Sequence, residues 1–159
     1  MTRRRLISEG PPTKKRDVMD NIPQQNVYPW DPRAEVSPYL PNTAIHTVLD
    51  VGCGPGGFGT TLRKTLGSHL DISGIEAMHE NVNASTATGS YDRVHHGYFP
   101  EAFQSTLEGP TSFDLICFLD VLEHMLDPWA SLRAAHDHLT PNGRIIASIP
   151  NIQVWTVIR

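Results

Sequence analysis

A glycine-dense turn after a short apolar run constrains this chain more than any other stretch. Residues 48–51 are followed by Gly52, Gly54 and Gly57, which fit the spacing G-x-G-x-x-G, and a helix is predicted from about Phe58. Glycines at this spacing let the backbone pass close to a nucleotide ligand at a helix N-terminus. The spacing alone is a weak signal, so its meaning depends on what the rest of the chain supplies.

Strands and helices are predicted to alternate along the body of the chain. Apolar runs predict five strands, at 48–51, 70–76, 93–96, 113–119 and 144–149. Apolar periodicity and capping residues predict helices at 58–66, 79–88, 100–107 and 128–139, with a turn at 140–143. This alternation predicts an α/β fold with a doubly wound, mostly parallel sheet.

Three segments are predicted along the 159 residues. Residues 1–26 hold two short basic clusters and few apolar residues, so we expect a flexible basic tail. A basic arm for nucleic acid or anionic lipid is the alternative, but the clusters are short for that role. Residues 27–43 are rich in proline and aromatic residues and form a lead-in that is expected to pack on the domain. Residues 44–159 are expected to form the domain itself.

Charge, hydropathy and cysteine content exclude several classes of function. A formal net charge of -4 argues against a nucleic-acid partner, and no apolar run approaches the ~18 residues of a membrane span. Cys53 and Cys117 do not suggest a disulfide framework, so a cytoplasmic location is expected. The histidines do not combine with cysteines or carboxylates at metal-ligand spacing, so no metal is expected.

Acidic residues lie where the predicted strands end. Asp50 precedes the glycine turn, Glu76 ends the second strand and Asp120 follows the fourth. In a doubly wound sheet, ligands bind beyond the carboxyl ends of the strands. Glu76 lies 22 residues beyond Gly54, close to the ~20 at which a carboxylate accepts hydrogen bonds from ribose hydroxyls. The spacing therefore favours ribose binding by Glu76 over a solvated acid at a strand end.

Together these stretches resemble the class I S-adenosylmethionine-dependent methyltransferases. Residues 48–57 resemble the first motif of that family, and Ile75-Glu76 resembles its acidic second-strand end. Residues 113–129 are similar to its fourth strand and following loop, and residues 139–151 to its fifth strand. The resemblance covers about residues 45–151. It is closest to the small-molecule branch, which includes quinone-biosynthesis enzymes and domains attached to glycosyltransferases.

The resemblance implies a Rossmann-like methyltransferase fold that binds S-adenosylmethionine and passes its methyl group to a small-molecule acceptor by in-line attack. It implies that Asp50 orients the amino group of the cofactor, that Glu76 takes both ribose hydroxyls, and that the Asp120 loop closes near the sulfonium. The full set of implied cofactor-binding residues is Asp50, Gly52, Cys53, Gly54, Gly56, Glu76, Ala77, Met78, Asp120 and Val121.

His124 is the candidate catalytic residue, as a general base for a hydroxyl acceptor, because histidine titrates near neutral pH. The alternative is a histidine that caps its loop or contacts the cofactor. Another position departs from the family pattern. Where the family often has Gly-Asp after the third strand, this chain has Gly97-Tyr98, so Tyr98 is considered as a stacking partner for adenine instead.

The C-terminus also departs from the resemblance. The family has two further strands after the fifth, whereas this sequence ends at Arg159, so the fold is expected to lack the last two strands. An open fifth-strand edge next to the apolar residues 152–158 favours self-association there. Two other functions stay open: a cofactor-binding or interaction module without turnover, and an NAD-dependent oxidoreductase. The second is less favoured, because Asp50 beside the glycine turn repels a pyrophosphate.

Overall fold

The computed structural model of the chain describes residues 29–104 and 109–151. The predicted basic tail at 1–26, the end of the predicted helix at 105–107 and the apolar residues 152–158 lie outside the described residues. No helix within the described ranges is both long and apolar enough to span a membrane.

Strands and helices alternate as predicted. The strands are β1 Thr47–Val51, β2 Asp71–Glu76, β3 Arg93–His96, β4 Phe113–Leu119 and β5 Leu139–Ser148. The α-helices are α1 Gly57–Leu66, α2 His79–Ala87, α3 Glu101–Gln104 and α4 Pro128–Asp137. Two 3-10 helices cover Ala34–Tyr39 in the lead-in and Leu122–His124 after β4.

The five strands form one parallel sheet in the order β3-β2-β1-β4-β5. The chain winds outward from β1 through β2 to β3, then returns to the other side of β1 for β4 and β5. The predicted α/β, doubly wound, parallel sheet is therefore confirmed. The winding reverses between β1 and β4, and the ends of these two strands mark the point where such sheets bind ligands.

Apolar side chains cover both faces of the sheet. On one face, Val36 of the lead-in and Phe58 and Leu62 of α1 pack in one cluster with inward residues of β1, β2 and β4. On the other face, Phe103 of α3 and Ala135 of α4 belong to a second cluster with the alternate residues of the same strands. Two covered faces explain why β4 is apolar at every position except Asp114.

The start of β5 differs from the sequence prediction. The predicted turn at 140–143 lies inside the strand as an irregular insertion, because Leu139 pairs with Phe113 and the next register partners are Arg144 and Leu115. Asp114 holds this insertion, since its carboxylate accepts a hydrogen bond of 2.9 Å from the Thr140 hydroxyl. Turn-forming residues therefore extend the strand here instead of preceding it.

The lead-in is anchored on α1 and reaches the ligand-binding end of the sheet. A Cβ atom on Gly57 would stand 2.0 Å from the Asp31 carbonyl oxygen, so a glycine is needed where the lead-in backbone crosses the start of α1. The Thr61 hydroxyl donates a hydrogen bond to the Pro32 carbonyl. Val36 and Leu40 are buried in the core. These contacts place Arg33 over the carboxyl ends of the strands.

Candidate cofactor-binding site

A cleft of about 970 Å³ opens at the carboxyl ends of β1, β2 and β4. Its walls come from the glycine turn after β1, the end of β2, the loop after β3, the loop after β4, the first turn of α4 and the lead-in. The cleft therefore lies where the strand order reverses, as the topology requires.

Glu76 is fixed at one side of the cleft by two backbone donors. Its Oε2 accepts a hydrogen bond of 2.9 Å from Gly54 N, and its Oε1 accepts one of 2.7 Å from Met78 N. The residue is 8% exposed and lines the cleft. A carboxylate has about four acceptor positions, so two remain for ligand hydroxyls. The carboxylate is thus held in place before a ligand arrives.

The glycines of the turn have different surroundings. Gly52, Gly54 and Gly56 all have positive φ, which favours glycine over other residues. A Cβ on Gly54 would meet no atom of the described residues within 4 Å, whereas one on Gly52 would stand 2.4 Å from a Val121 methyl group. Gly54 therefore faces open space in the cleft, where a ligand can approach the backbone.

Gly56 lies outside the lining of the cleft. A Cβ atom there would stand 2.8 Å from the Ser85 Cα of α2, so glycine is required by helix packing. The implied contact of Gly56 with a cofactor stays a prediction, whereas its role in seating α2 follows from the structure. The G-x-G-x-x-G spacing alone does not separate these two reasons for a glycine.

Asp50 lies buried beneath the glycine turn and is bound by a residue that the sequence analysis missed. It is 2% exposed, and its Oδ2 accepts a hydrogen bond of 2.6 Å from the Tyr91 hydroxyl. The pKa of Asp50 is raised to about 6, chiefly by burial and also by the Glu76 carboxylate, whereas the Tyr91 hydrogen bond and Arg33 oppose the rise. Tyr91 precedes β3, and its spacing from Asp50 gives no sign of the contact.

Three other predicted cofactor residues line the cleft near the ends of β1 and β2. Ala77 and Met78 follow Glu76 directly and both line the cleft. Cys53 is buried, and burial raises the pKa of its thiol well above the ordinary range, so the thiol stays protonated. Its sulfur packs where Gly74 leaves room, since a Cβ there would stand 2.8 Å away. Cys53 therefore offers a small neutral side chain.

Asp120 and Val121 border the cleft at the end of β4. Asp120 has φ 57, and Ser148 of β5 braces it by donating a 2.8 Å hydrogen bond from its hydroxyl to Asp120 Oδ1. The Arg33 guanidinium lies 3.1 Å from Asp120 Oδ2 and donates a 3.1 Å hydrogen bond to the Ser148 hydroxyl. Arg33 was also missed, because a residue in the proline-rich lead-in carries no motif that links it to β4.

His124 and Tyr98 line the cleft with most of their surface open. The His124 side chain is 68% exposed and its Nε2 lies 4.0 Å from Glu123 Oε1. Tyr98 is 76% exposed. His124 can therefore reach solvent or an acceptor, although its role as a base stays a prediction. The stacking role of Tyr98 also stays a prediction.

The cleft is acidic. Its lining includes six carboxylates, on Asp31, Asp50, Glu76, Glu101, Asp120 and Asp127. Among the described lining residues, Arg33 is the only one that is a lysine or an arginine. Its guanidinium is already paired with Asp120 and Glu35. Such a lining suits a ligand with positive groups. Within the described ranges, no group of three or more histidine, cysteine or carboxylate residues is placed to hold a metal ion.

Comparison with known proteins identifies the family of this chain. Residues 16–155 match a family described as a methyltransferase domain. The chain belongs to this methyltransferase domain family, as the resemblance in its motifs predicted.

Two curated relatives are ubiquinone biosynthesis O-methyltransferases. A ubiquinone biosynthesis O-methyltransferase of Xylella fastidiosa (strain M23) is 33% identical over 105 residues, which is 65% of this chain and 42% of the relative. The mitochondrial ubiquinone biosynthesis O-methyltransferase of Schizosaccharomyces pombe is 30% identical over 104 residues, 64% of this chain and 36% of the relative. The chain thus spans about two fifths of the length of the curated relatives it matches.

Solved structures show the same fold. The plantazolicin methyltransferase BpumL, in complex with a pentazolic desmethylPZN analog and SAH, superposes with a TM-score of 0.62 at 17% identity, over 76% of this chain and 46% of that one. A Haloferax volcanii methyltransferase in complex with the Trm112 methyltransferase activator gives 0.60 at 21% identity, over 74% of this chain and 51% of that one. At these identities the likeness concerns the fold, which is the predicted Rossmann-like methyltransferase fold.

Proposed function

We propose that this chain binds S-adenosylmethionine in the cleft and supports transfer of its methyl group to a small-molecule acceptor. The observation that carries the proposal is the hydrogen bond from Gly54 N to Glu76 Oε2. It joins the glycine turn to the acidic end of β2, the two parts that a ribose-bearing cofactor needs side by side. Membership of the methyltransferase family supports the choice of cofactor.

The described residues fit this cofactor. Gly54 leaves open space beside the backbone, Glu76 offers unused acceptor positions, and Asp50 places a carboxylate under the glycine turn. When bound, S-adenosylmethionine supplies an electrophilic methyl group on a sulfonium centre. The chain then has to orient the two reactants and exclude water, and the acidic lining suits the positive groups of the ligand.

The acceptor is proposed to enter between the loop after β4 and the lead-in. His124 is exposed on that loop and lines the cleft, so it can accept a proton from a hydroxyl acceptor. The similarity to ubiquinone biosynthesis O-methyltransferases supports a small molecule that is methylated on oxygen. Val121 and Met125 give this end of the cleft an apolar side.

Calorimetric titration with S-adenosylhomocysteine and with NAD tests the cofactor. We expect the wild-type chain to bind S-adenosylhomocysteine and not NAD, and Glu76→Ala to weaken binding at least about tenfold, because two hydroxyl contacts are lost. Glu80→Ala is the matched control, since Glu80 is an exposed acid on α2. Binding of NAD without S-adenosylhomocysteine would overturn the proposal in favour of an oxidoreductase.

A second measurement separates an enzyme from a binding module. Transfer of a labelled methyl group to a panel of phenols and other hydroxyl compounds is expected in a chain that extends over the full length of the relatives. His124→Gln is expected to lower that rate with little change in cofactor affinity. Cofactor binding without transfer to any acceptor in the longer chain would favour the module.

Two further proposals concern the surroundings of the protein. Within the described residues, β5 pairs only with β4, and Ile149 just beyond it is exposed. This supports self-association through the β5 edge, which light scattering of the purified chain tests; a monomer at all concentrations would contradict it. Cys53 and Cys117 are free and buried, which supports the predicted cytoplasmic location.

A further inference from the structure

Tyr91 joins two parts of the site that are far apart in sequence. Its hydroxyl donates a hydrogen bond of 2.6 Å to Asp50 Oδ2 and accepts one of 3.0 Å from Gly59 N in the first turn of α1. The phenol is therefore both donor and acceptor, and both of its partners are buried. A donor that itself accepts a hydrogen bond is polarised, which strengthens the bond that it donates.

The ring of Tyr91 is buried and packs closely against two glycines. A Cβ atom on Gly59 would stand 2.5 Å from Tyr91 Cε2, and one on Gly74 would stand 3.2 Å from Tyr91 Cδ1. Tyr91 itself is 7% exposed. Two glycines, on α1 and on β2, thus make the space that places the hydroxyl against Asp50.

Several groups act on the charge of Asp50. Burial and the nearby Glu76 carboxylate favour the protonated acid, whereas Arg33 and the Tyr91 hydroxyl favour the carboxylate. The buried thiols of Cys53 and Cys117 also lie within its electrostatic range. Of these groups, Tyr91 is the one that forms a hydrogen bond with Asp50. Within the described residues, that bond is the one hydrogen bond that the Asp50 side chain receives.

We propose that Tyr91 is a positioning residue that keeps the Asp50 carboxylate ionised and oriented toward the cofactor's amino group. This inference rests on the proposed function, because an ionised Asp50 matters when the ligand brings an ammonium group into the cleft. A phenol that donates to a carboxylate stabilises the charged form. Without it, burial protonates Asp50 and removes the attraction for the ligand.

Tyr91→Phe tests the proposal because it removes the hydroxyl and keeps the ring. The first readout needs no ligand: the side-chain carboxyl resonance of Asp50, assigned by its loss in Asp50→Asn, is titrated by carbon-13 NMR. We expect its midpoint to lie at higher pH in Tyr91→Phe than in the wild type. Tyr39→Phe is the matched control, since Tyr39 is exposed in the lead-in, and it is expected to leave the midpoint unchanged.

The second readout is the Kd for S-adenosylhomocysteine at two pH values. At pH 6.5 we expect Tyr91→Phe to raise the Kd about tenfold, and the difference from wild type to narrow at pH 8.5 as Asp50 ionises again. An unchanged Asp50 midpoint, or an equal loss of affinity at both pH values, overturns the proposal. A wild-type chain that binds no S-adenosylhomocysteine instead overturns the proposed function, and the NMR titration still decides the link between Tyr91 and Asp50.

A third readout uses the wild-type chain, so it decides the matter even if Tyr91→Phe does not fold. The Cζ resonance of Tyr91 is expected to shift with the same midpoint as the Asp50 carboxyl resonance, and the shift is expected to vanish in Asp50→Asn. A Tyr91 resonance that ignores the titration of Asp50 overturns the proposal.

Discussion

Arg33 and Asp120 form an ion pair of 3.1 Å that joins the lead-in to the end of β4 at the mouth of the cleft. Both residues have positive φ, at 50 and 57, and neither is glycine. The Ser148 hydroxyl connects them, since it receives a hydrogen bond from Arg33 and donates one to Asp120. Three separate segments therefore hold two unfavourable backbone conformations in place.

The ion pair predicts a salt-dependent loss of stability in Arg33→Met, which keeps most of the apolar stem and removes the charge. We expect the free energy of unfolding to fall by about 1 kcal/mol at low salt, because the pair is partly exposed. At about 1 M salt the difference is expected to shrink, since screening weakens the lost attraction. Urea unfolding at both salt concentrations measures it.

Arg133→Met is the matched control for this variant. Arg133 is exposed on α4, and the described residues form no ion pair with it. We expect its unfolding free energy to stay within about 0.5 kcal/mol of wild type. An Arg33→Met loss of equal size at both salt concentrations would assign the effect to packing.

The raised pKa of buried Asp50 is expected to make the ligand-free chain less stable as the pH rises. The pKa of Asp50 is about 6 in the folded chain, whereas the ordinary value is 3.8. Between these two pH values the folded state holds a proton that the unfolded state has released. Stability from this group is full below the unfolded pKa and is lost as the pH rises through the folded pKa. Asp50→Asn should remove that slope and gain up to about 3 kcal/mol at pH 7, measured by urea unfolding from pH 4 to pH 7.

Asp114→Asn provides a comparison of opposite sign. Burial of Asp114 favours its protonated form, but hydrogen bonds from His46 N, the Thr140 hydroxyl and Thr47 outweigh this and lower its pKa. Its stabilisation is therefore present above the unfolded pKa and lost as the pH falls. If Asp50→Asn and Asp114→Asn changed the pH dependence of the unfolding free energy in the same direction, the assignment of the slope to Asp50 would be contradicted.

Gly54 and Gly56 are predicted to separate ligand binding from folding. Alanine at either position costs about 1 kcal/mol for positive φ, and Gly56→Ala also brings its Cβ within 2.8 Å of Ser85 Cα. We expect Gly56→Ala to lower stability by about 2 to 3 kcal/mol in total. In Gly54→Ala the new Cβ meets no atom within 4 Å in the described part of the chain, so this variant should lose less stability and more affinity for S-adenosylhomocysteine.

Thermal unfolding and calorimetric titration of both glycine variants check this separation. The Kd of Gly56→Ala, measured at a temperature where it is folded, is expected to stay near the wild-type value. Equal losses of affinity in the two variants would instead show that Gly56 belongs to the ligand site, as the resemblance to the family implies.

Asn81 is predicted to destabilise the fold. It is 1% exposed on α2, and neither polar atom of its side-chain amide has a hydrogen-bond partner among the residues that the structure describes. Leucine has the same number and branching of side-chain heavy atoms, so Asn81→Leu should raise the unfolding free energy by about 1 to 2 kcal/mol. Asn83→Leu, on the exposed side of the same helix, should change it little. A loss of stability in Asn81→Leu would reveal a need for the amide.

The sequence predicts those features that depend on neighbours along the chain. The five strands and the helix that begins with Pro128 follow from apolar runs and local capping, and Asp127 caps that helix by accepting a 2.8 Å hydrogen bond from Ala130 N. The interval between Gly54 and Glu76 predicted that both border one ligand site, as they do in the cleft, but it did not predict the hydrogen bond between them. Each of these features can be stated from a short window or from one known interval.

Features that depend on distant segments were not predictable in this way. Tyr91 and Arg33 reach the site because the lead-in and the segment before β3 fold back on the sheet, and no periodicity encodes that distance. The insertion at the start of β5 was mistaken for a turn, because proline, asparagine and glycine signal a turn in either setting. Pairing with β4 on both sides of residues 140–143 makes this stretch an insertion within β5 and not a turn before it.

Ser148 stands at the end of the last described strand, whereas Arg33 belongs to the first described segment. Asp120 is bound by both, so this side of the cleft requires the outer strand and the docked lead-in together. The backbone of the glycine turn, by contrast, is hydrogen-bonded to β2, through Gly52 N and Cys53 N to the Ile75 carbonyl and through Gly54 N to the Glu76 carboxylate. The two sides of the cleft are therefore fixed by different parts of the chain: Glu76 is held by the adjacent turns, whereas Asp120 is held by two residues that lie 115 positions apart in the sequence.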